Sequence, residues 1–173
     1  FRRFPKSMTS ALAFSLIGTA PFFADAQTSY TDEKVWTEAA AVPPASFSTE
    51  ALIPFEVMKA SALTYGIDPN TLTVGEDGVV RYVMVARSSS GAVNVLFEGM
   101  RCQTAEVKLY AHWDKGSGWT PVVASEWKPL SLQGPTRRAM QMARGGVCAQ
   151  TLPNGSPAQI LSTLRNGNAD PSR

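Results

Sequence analysis

From Thr71 to Val123 the apolar residues recur with period two, and the intervals between the apolar runs carry turn chemistry. Residues 71–74 lead into Gly75-Glu76-Asp77-Gly78, where Asp-Gly supplies the positive φ of a tight hairpin. Residues 79–87 then reach Ser88-Ser89-Ser90-Gly91, and residues 92–102 and 105–113 follow with the same alternation. Lys115-Gly116-Ser117-Gly118 turns the chain into residues 119–123. This pattern predicts four or five antiparallel strands in a meander, with residues 52–57 and 63–67 as candidates for more. Towards the C-terminus the period changes. Residues 135–144 read as a short helix with Ala139, Met140 and Ala143 on one face and Arg137, Gln141 and Arg144 on the other. Ser156-Pro157-Ala158-Gln159 combines a cap, a proline in the first turn and a capping-box glutamine; Ile160, Leu161 and Leu164 make an apolar stripe, and Gly167 is a stop. The expected fold class is α+β: a β-rich antiparallel meander of about five to seven strands with one or two short C-terminal helices.

The central hairpin allows a register argument. With Ser88 to Gly91 as its loop, Arg87 faces Ala92, and Val80, Tyr82, Met84 and Ala86 fall opposite Gly99, Phe97, Val95 and Val93. That face is wholly apolar. The other face then sets Arg81 opposite Glu98 as a cross-strand ion pair. In the following strand Val107, Leu109, Ala111 and Trp113 are expected on one face, alternating with Glu106, Lys108, Tyr110 and His112.

The N-terminus has a different character. Basic Arg2, Arg3 and Lys6 precede an apolar run from Ala11 to Phe23 and then Ala24-Asp25-Ala26, the order of a secretory signal peptide cleaved near Ala26. The run is short for a bilayer span and is broken by Gly18 and Pro21, so no transmembrane segment is expected after cleavage. Arg2-Arg3-Phe4 hints at twin-arginine export, but Pro5 and its polar surroundings favour the general route. The expected organisation is a signal peptide over 1–26, an extended lead-in over 27–50 with Pro43-Pro44 and with Trp36 and Phe47 as pins, one β-rich domain over 51–167, and a loose tail over 168–173. The expected location is the periplasm or the exterior.

Export also changes the charge. The whole chain carries sixteen basic and fourteen acidic residues, a formal +2. Removing Arg2, Arg3, Lys6 and Asp25 leaves equal numbers of each sign, so the general electrostatic case for nucleic-acid binding disappears. Cys102 and Cys148 are an even pair bound for an oxidising compartment, which suggests one disulfide rather than two free thiols or an intermolecular link. Closing a loop of about 47 residues is worth at most about 4 kcal/mol in the chain-entropy model.

Candidate chemistry is sparse. With one histidine and two cysteines no metal centre is expected, and no cofactor-binding or catalytic string is present, so no catalytic residue is assigned. Arg81, Glu98 and Arg101 form the best polar cluster: a guanidinium fork suits a carboxylate or sugar ligand, although such pairs more often set sheet register. His112 needs a partner to act as a base and falls on a polar strand face. Glu76 and Asp77 read as turn residues. Arg137, Arg138 and Arg144 suit a phosphate or an acidic glycan, or simply a solvated helix face. Trp113, Trp119 and Trp127 suit sugar stacking, or packing within the sheet.

Two strings carry a family resemblance. Asp68-Pro69-Asn70-Thr71-Leu72-Thr73-Val74-Gly75-Glu76-Asp77-Gly78-Val79-Val80-Arg81-Tyr82 and Gly91-Ala92-Val93-Asn94-Val95-Leu96-Phe97-Glu98-Gly99-Met100-Arg101-Cys102 resemble the cryptic neisserial protein-like (CNP1-like) family, with Glu-Gly-x-Arg-Cys the most specific part. Tyr110-Ala111, Trp119 and a lead-in with Trp36, Glu38, Pro43, Pro44 and Phe47 extend the likeness. The resemblance implies an exported protein of Gram-negative bacteria and brings no catalytic residues with it. The expected function is a non-catalytic binding or cell-envelope interaction module, with an envelope protein or a glycan as partner. The alternatives are a small periplasmic hydrolase of cell-wall or sugar substrates and a structural component of an envelope assembly.

Overall fold

The computed structural model describes residues 35–58 and 61–167, and the compact unit begins at Trp36. The export segment expected over 1–26 and the tail over 168–173 lie outside the described residues. In chain order the strands are β1 (Ile53–Phe55), β2 (Leu63–Ile67), β3 (Thr73–Val74), β4 (Val79–Ser88), β5 (Val93–Arg101), β6 (Glu106–Asp114), β7 (Gly118–Pro121) and β8 (Lys128–Pro129). Helix α1 (Arg137–Met142) follows, then the small ladder of β9 (Cys148–Ala149) and β10 (Leu152–Pro153), and finally α2 (Pro157–Gly167). The main sheet is antiparallel in the order β1-β2-β4-β5-β6-β7, with β3 also on β4 and β8 on β6. This is the β-rich α+β meander that the alternation and turn chemistry predicted, with the expected strand over 71–74 shortened to β3 and the two-residue β8 added at the margin. Helix α2 starts on its expected box: Gln159 N donates to Ser156 Oγ at 3.4 Å and Ser156 N to Gln159 Oε1 at 2.8 Å.

The sheet is covered on both faces, which is why residues 79–86 of β4 are buried without a break. On one face Val80, Tyr82, Met84, Leu96, Met100 and Val107 pack under α1, α2 and the turn between them through Ala139, Met142, Val147, Ile160 and Leu164. On the other, Val83, Val85, Val95, Phe97 and Ala111 pack under the lead-in through Ala41 and Phe47, and under Leu52 just beyond it. Residues 36–50 are therefore a strap over the sheet. In α1 the inward residues are Ala139 and Met142, continued by Ala143 in the wide turn Ala143–Val147; Met140, expected inside, is only partly buried.

Two registers differ from expectation. In the β4–β5 hairpin Arg87 pairs with Val93, so Arg81 lies opposite Gly99 and Tyr82 opposite Glu98. The cause is the turn. Ser88 N donates to Ala92 O at 2.9 Å and Gly91 N to Ser88 O at 3.0 Å, so the loop is Ser89-Ser90-Gly91, with Gly91 at φ 86° closing it, one residue shorter than assumed. Between β5 and β6 the ladder steps from Phe97–Ala111 to Glu98–Leu109, leaving Tyr110 as the extra residue of a bulge. The step sends Tyr110 and Ala111 to the strap face together, so Ala111 does not share a face with Val107 and Leu109.

The Cys102–Cys148 disulfide is formed, with its Cα atoms 5.6 Å apart, and ties the end of β5 to β9.

Candidate functional site

The register decides the fate of the expected cluster. Because side chains alternate along β4 and β5, Arg81 points to the strap face and Glu98 to the helix face, so the Arg81–Glu98 pair is not formed. Arg81 instead forks onto Asp77, donating Nη1 to Oδ1 at 3.1 Å and Nη2 to Oδ2 at 2.6 Å. Asp77, read from sequence as a turn residue, is the hub of this face. It also accepts the Ala39 amide at 2.9 Å and the Val79 amide at 3.2 Å, and its carbonyl accepts Trp36 Nε1 at 2.8 Å. Burial opposes its ionisation, but the Arg81 fork and the two amides outweigh burial and hold its carboxyl at about 2. Arg101 places its guanidinium over the Trp36 ring, 3.8 Å from the centroid.

A second hub is Glu38 of the strap, which accepts Tyr110 OH at 2.8 Å, Lys108 Nζ at 2.9 Å and Trp127 Nε1 at 3.3 Å. Burial opposes its ionisation too, yet the Lys108, Tyr110 and Trp127 donors leave its carboxyl below the ordinary range. Trp119 donates Nε1 to Pro44 O at 2.9 Å, and Phe47 wedges against Trp113 and Trp119 with centroids 5.1 and 5.2 Å apart. Arg81, Arg101, Lys108, Trp113, Trp119 and Trp127 thus hold the strap, with Trp36 as the strap's own anchor. Their roles are those of fasteners.

The helix face is different. Glu98 is 1 % exposed, and its Oε1 accepts Nη2 of Arg138 from α1. Tyr82 OH donates to Oε2 at 3.5 Å, and Arg138 Nη1 donates to Pro135 O at 2.6 Å. Burial pushes the Glu98 carboxyl up, against the pull of Arg138, and burial together with Glu98 pushes the Tyr82 hydroxyl up. Sequence reasoning found Glu98 and Arg138 separately but did not join them. Only the docking of α1 on the sheet does so, across 40 positions of sequence.

Arg138 and Pro135 form a wall shared by two clefts. One, of about 360 Å³, lies between Tyr65 of β2, the side chains of Val57, Met58 and Ser61, and the turn at 133–138. The other, of about 300 Å³, runs from Glu98 past Val107 and Leu109 to Ser125, Glu126 and Lys128. The Nε of Arg138 is buried without an acceptor among the described residues. His112 is exposed on β6 and lines neither cleft, and Arg144 is exposed beyond α1. Among the described residues no three His, Cys, Asp or Glu side chains converge to hold a metal, and no helix is long and apolar enough to cross a membrane.

Residues 31–165 match the sequence model of the CNP1-like family, which covers most of the chain. The chain belongs to the CNP1-like family. No curated protein and no solved structure matches it. For this CNP1-like chain the matched span includes both hubs of the strap, the Glu98–Arg138 pair and both clefts.

Proposed function

We propose that the protein is an exported, non-catalytic binding module of the cell envelope, taking its ligand in the clefts that share Arg138. Export rests on the basic, apolar and small-residue order of residues 1–26. The observation that carries the binding reading is the Glu98–Arg138 pair. A buried carboxylate on a central strand holds a cation in fixed position on the wall of two clefts, and preorganised charge is what a small polar ligand rewards. The hydrolase alternative has less support, because His112 stands outside both clefts.

Two measurements test this reading. A fusion of residues 1–50 to a reporter active only outside the cytoplasm should be active, and retention in the cytoplasm overturns export. The oxidised chain should retain an envelope protein or glycan that the Gln133→Trp variant does not, because Gln133 is exposed at the rim of the larger cleft and an indole there fills it. Equal retention by both chains would move binding away from the clefts.

A further inference from the structure

The two clefts differ in charge. The smaller one mixes Glu98 and Glu126 with Lys128 and Arg138. Among the described residues, the larger is lined by Arg137 and Arg138 and by no acidic side chain. Each arginine is tethered through two donors, Arg137 by Nε to Leu132 O and by Nη1 to Met58 Sδ, and Arg138 by Nη1 to Pro135 O and by Nη2 to Glu98, so their guanidinium groups are held in place before any ligand arrives. Among the described residues, Glu98 offsets one of the two positive charges from the sheet side, leaving room for a single negative charge. A monoanionic carboxylate matches that balance better than a dianionic phosphate, and its planar pair of oxygens suits a guanidinium fork.

The remaining walls describe the body that carries the carboxylate. Tyr65 presents a ring, Val57 and Pro135 present apolar surface, and Ser61 and Gln133 present a hydroxyl and an amide. A purely aliphatic acid would cover Ser61 and Gln133 without bonding them, whereas a sugar ring offers C–H groups to Tyr65 and Pro135 and hydroxyls to Ser61 and Gln133. The volume of about 360 Å³ lies at the small end of the range for ligand sites and suits a short ligand.

From these features we infer that the cleft between β2 and the turn entering α1 binds an acidic saccharide, with its carboxylate at Arg137 and Arg138 and its ring against Tyr65. This inference rests on the binding-module reading above and names the ligand class of the same site.

Calorimetric titration of the oxidised chain with glucuronate, glucose, acetate and inorganic phosphate tests it. Glucuronate should bind saturably and at least about tenfold more tightly than the other three, since only it offers both the charge and the ring. Arg137→Gln should weaken glucuronate by about tenfold with the fold retained, because Arg138, not Arg137, holds Glu98. Gln133→Ala, at an exposed position, should also weaken it and serves if Arg137→Gln disturbs folding. Glucose binding as tightly as glucuronate, phosphate binding more tightly, or indifference to both substitutions would overturn the acidic-saccharide class. If a neutral ligand is nevertheless retained and then lost in Gln133→Trp, the binding module stands while this ligand class falls.

Discussion

A Cβ on Gly99 would lie 2.6 Å from the Tyr110 hydroxyl oxygen and 2.7 Å from its Cε2, closer than side-chain carbons approach. The ring occupies that space because the β6 bulge sends Tyr110 to the strap face, where its hydroxyl donates to Glu38. Gly99→Ala must therefore displace the ring and its bond to the strap. The expected cost is about 1–3 kcal/mol, as for overpacking in a filled core, read as a lower urea midpoint with an unchanged slope. An unchanged midpoint would mean that Tyr110 is free to move aside. Gly99 is legible in sequence as part of Glu-Gly-x-Arg-Cys, but the ring above it is not, because an alternating pattern contains no sign of a bulge in the next strand. Glu98 shows the same limit. Its place on β5 is readable, while its partner Arg138 comes from an element that sequence pairing rules do not bring near it.

At the scale of elements, the strap has no strand or helix of its own and depends on side-chain acceptors for its attachment. Asp77 links it to β4 through the Ala39 amide and Arg81, and its carboxyl titrates at about 2 when folded against 3.8 ordinarily. A depressed folded value means that the stabilisation is fully present above pH 3.8 and is lost as pH falls from there through about 2. Glu38, also held below its ordinary range, acts in the same direction. The fluorescence of Trp36 and Trp127, which meet edge to face at 6.1 Å and bond to Asp77 and Glu38, should report strap release in that acid range. Asp77→Asn should lower stability at neutral pH and flatten the acid response. A variant with the same acid profile as the native chain would remove Asp77 from this role. The lead-in was expected to be pinned by Trp36 and Phe47, and it is, but the carboxylates that complete the attachment were not singled out for it. Asp77 sits in a turn where an acid already has a local explanation, and Glu38 has no pattern around it.

At the scale of the molecule, the sheet and its helical layer are joined covalently. Cys102 directly follows β5, Cys148 begins β9, and the segment between them contains β6, β7, β8 and α1. Replacing both cysteines by serine should therefore loosen the helical layer as a unit, with a loss of up to about 4 kcal/mol by loop entropy. The measurement is equilibrium unfolding in urea, and a native-like midpoint for the double variant would show that packing alone holds the layers. The loss should be largest at the Glu98–Arg138 wall, which ties β5 directly to α1.

Strand positions, the capping box of α2 and the pairing of two cysteines follow from period, turn residues and count, all of which are local or compositional and survive without a fold. The location of charge does not. Residues 79–86 of β4 are apolar on both sides of the pleat except at Arg81, so alternation alone does not say which face is inward, and one residue in the Ser88–Ala92 turn decides whether Arg81 meets Glu98. The tertiary structure settled it by closing the turn at Gly91 and laying the strap on one face and α1 on the other, so that each buried charge met the partner its own face supplied.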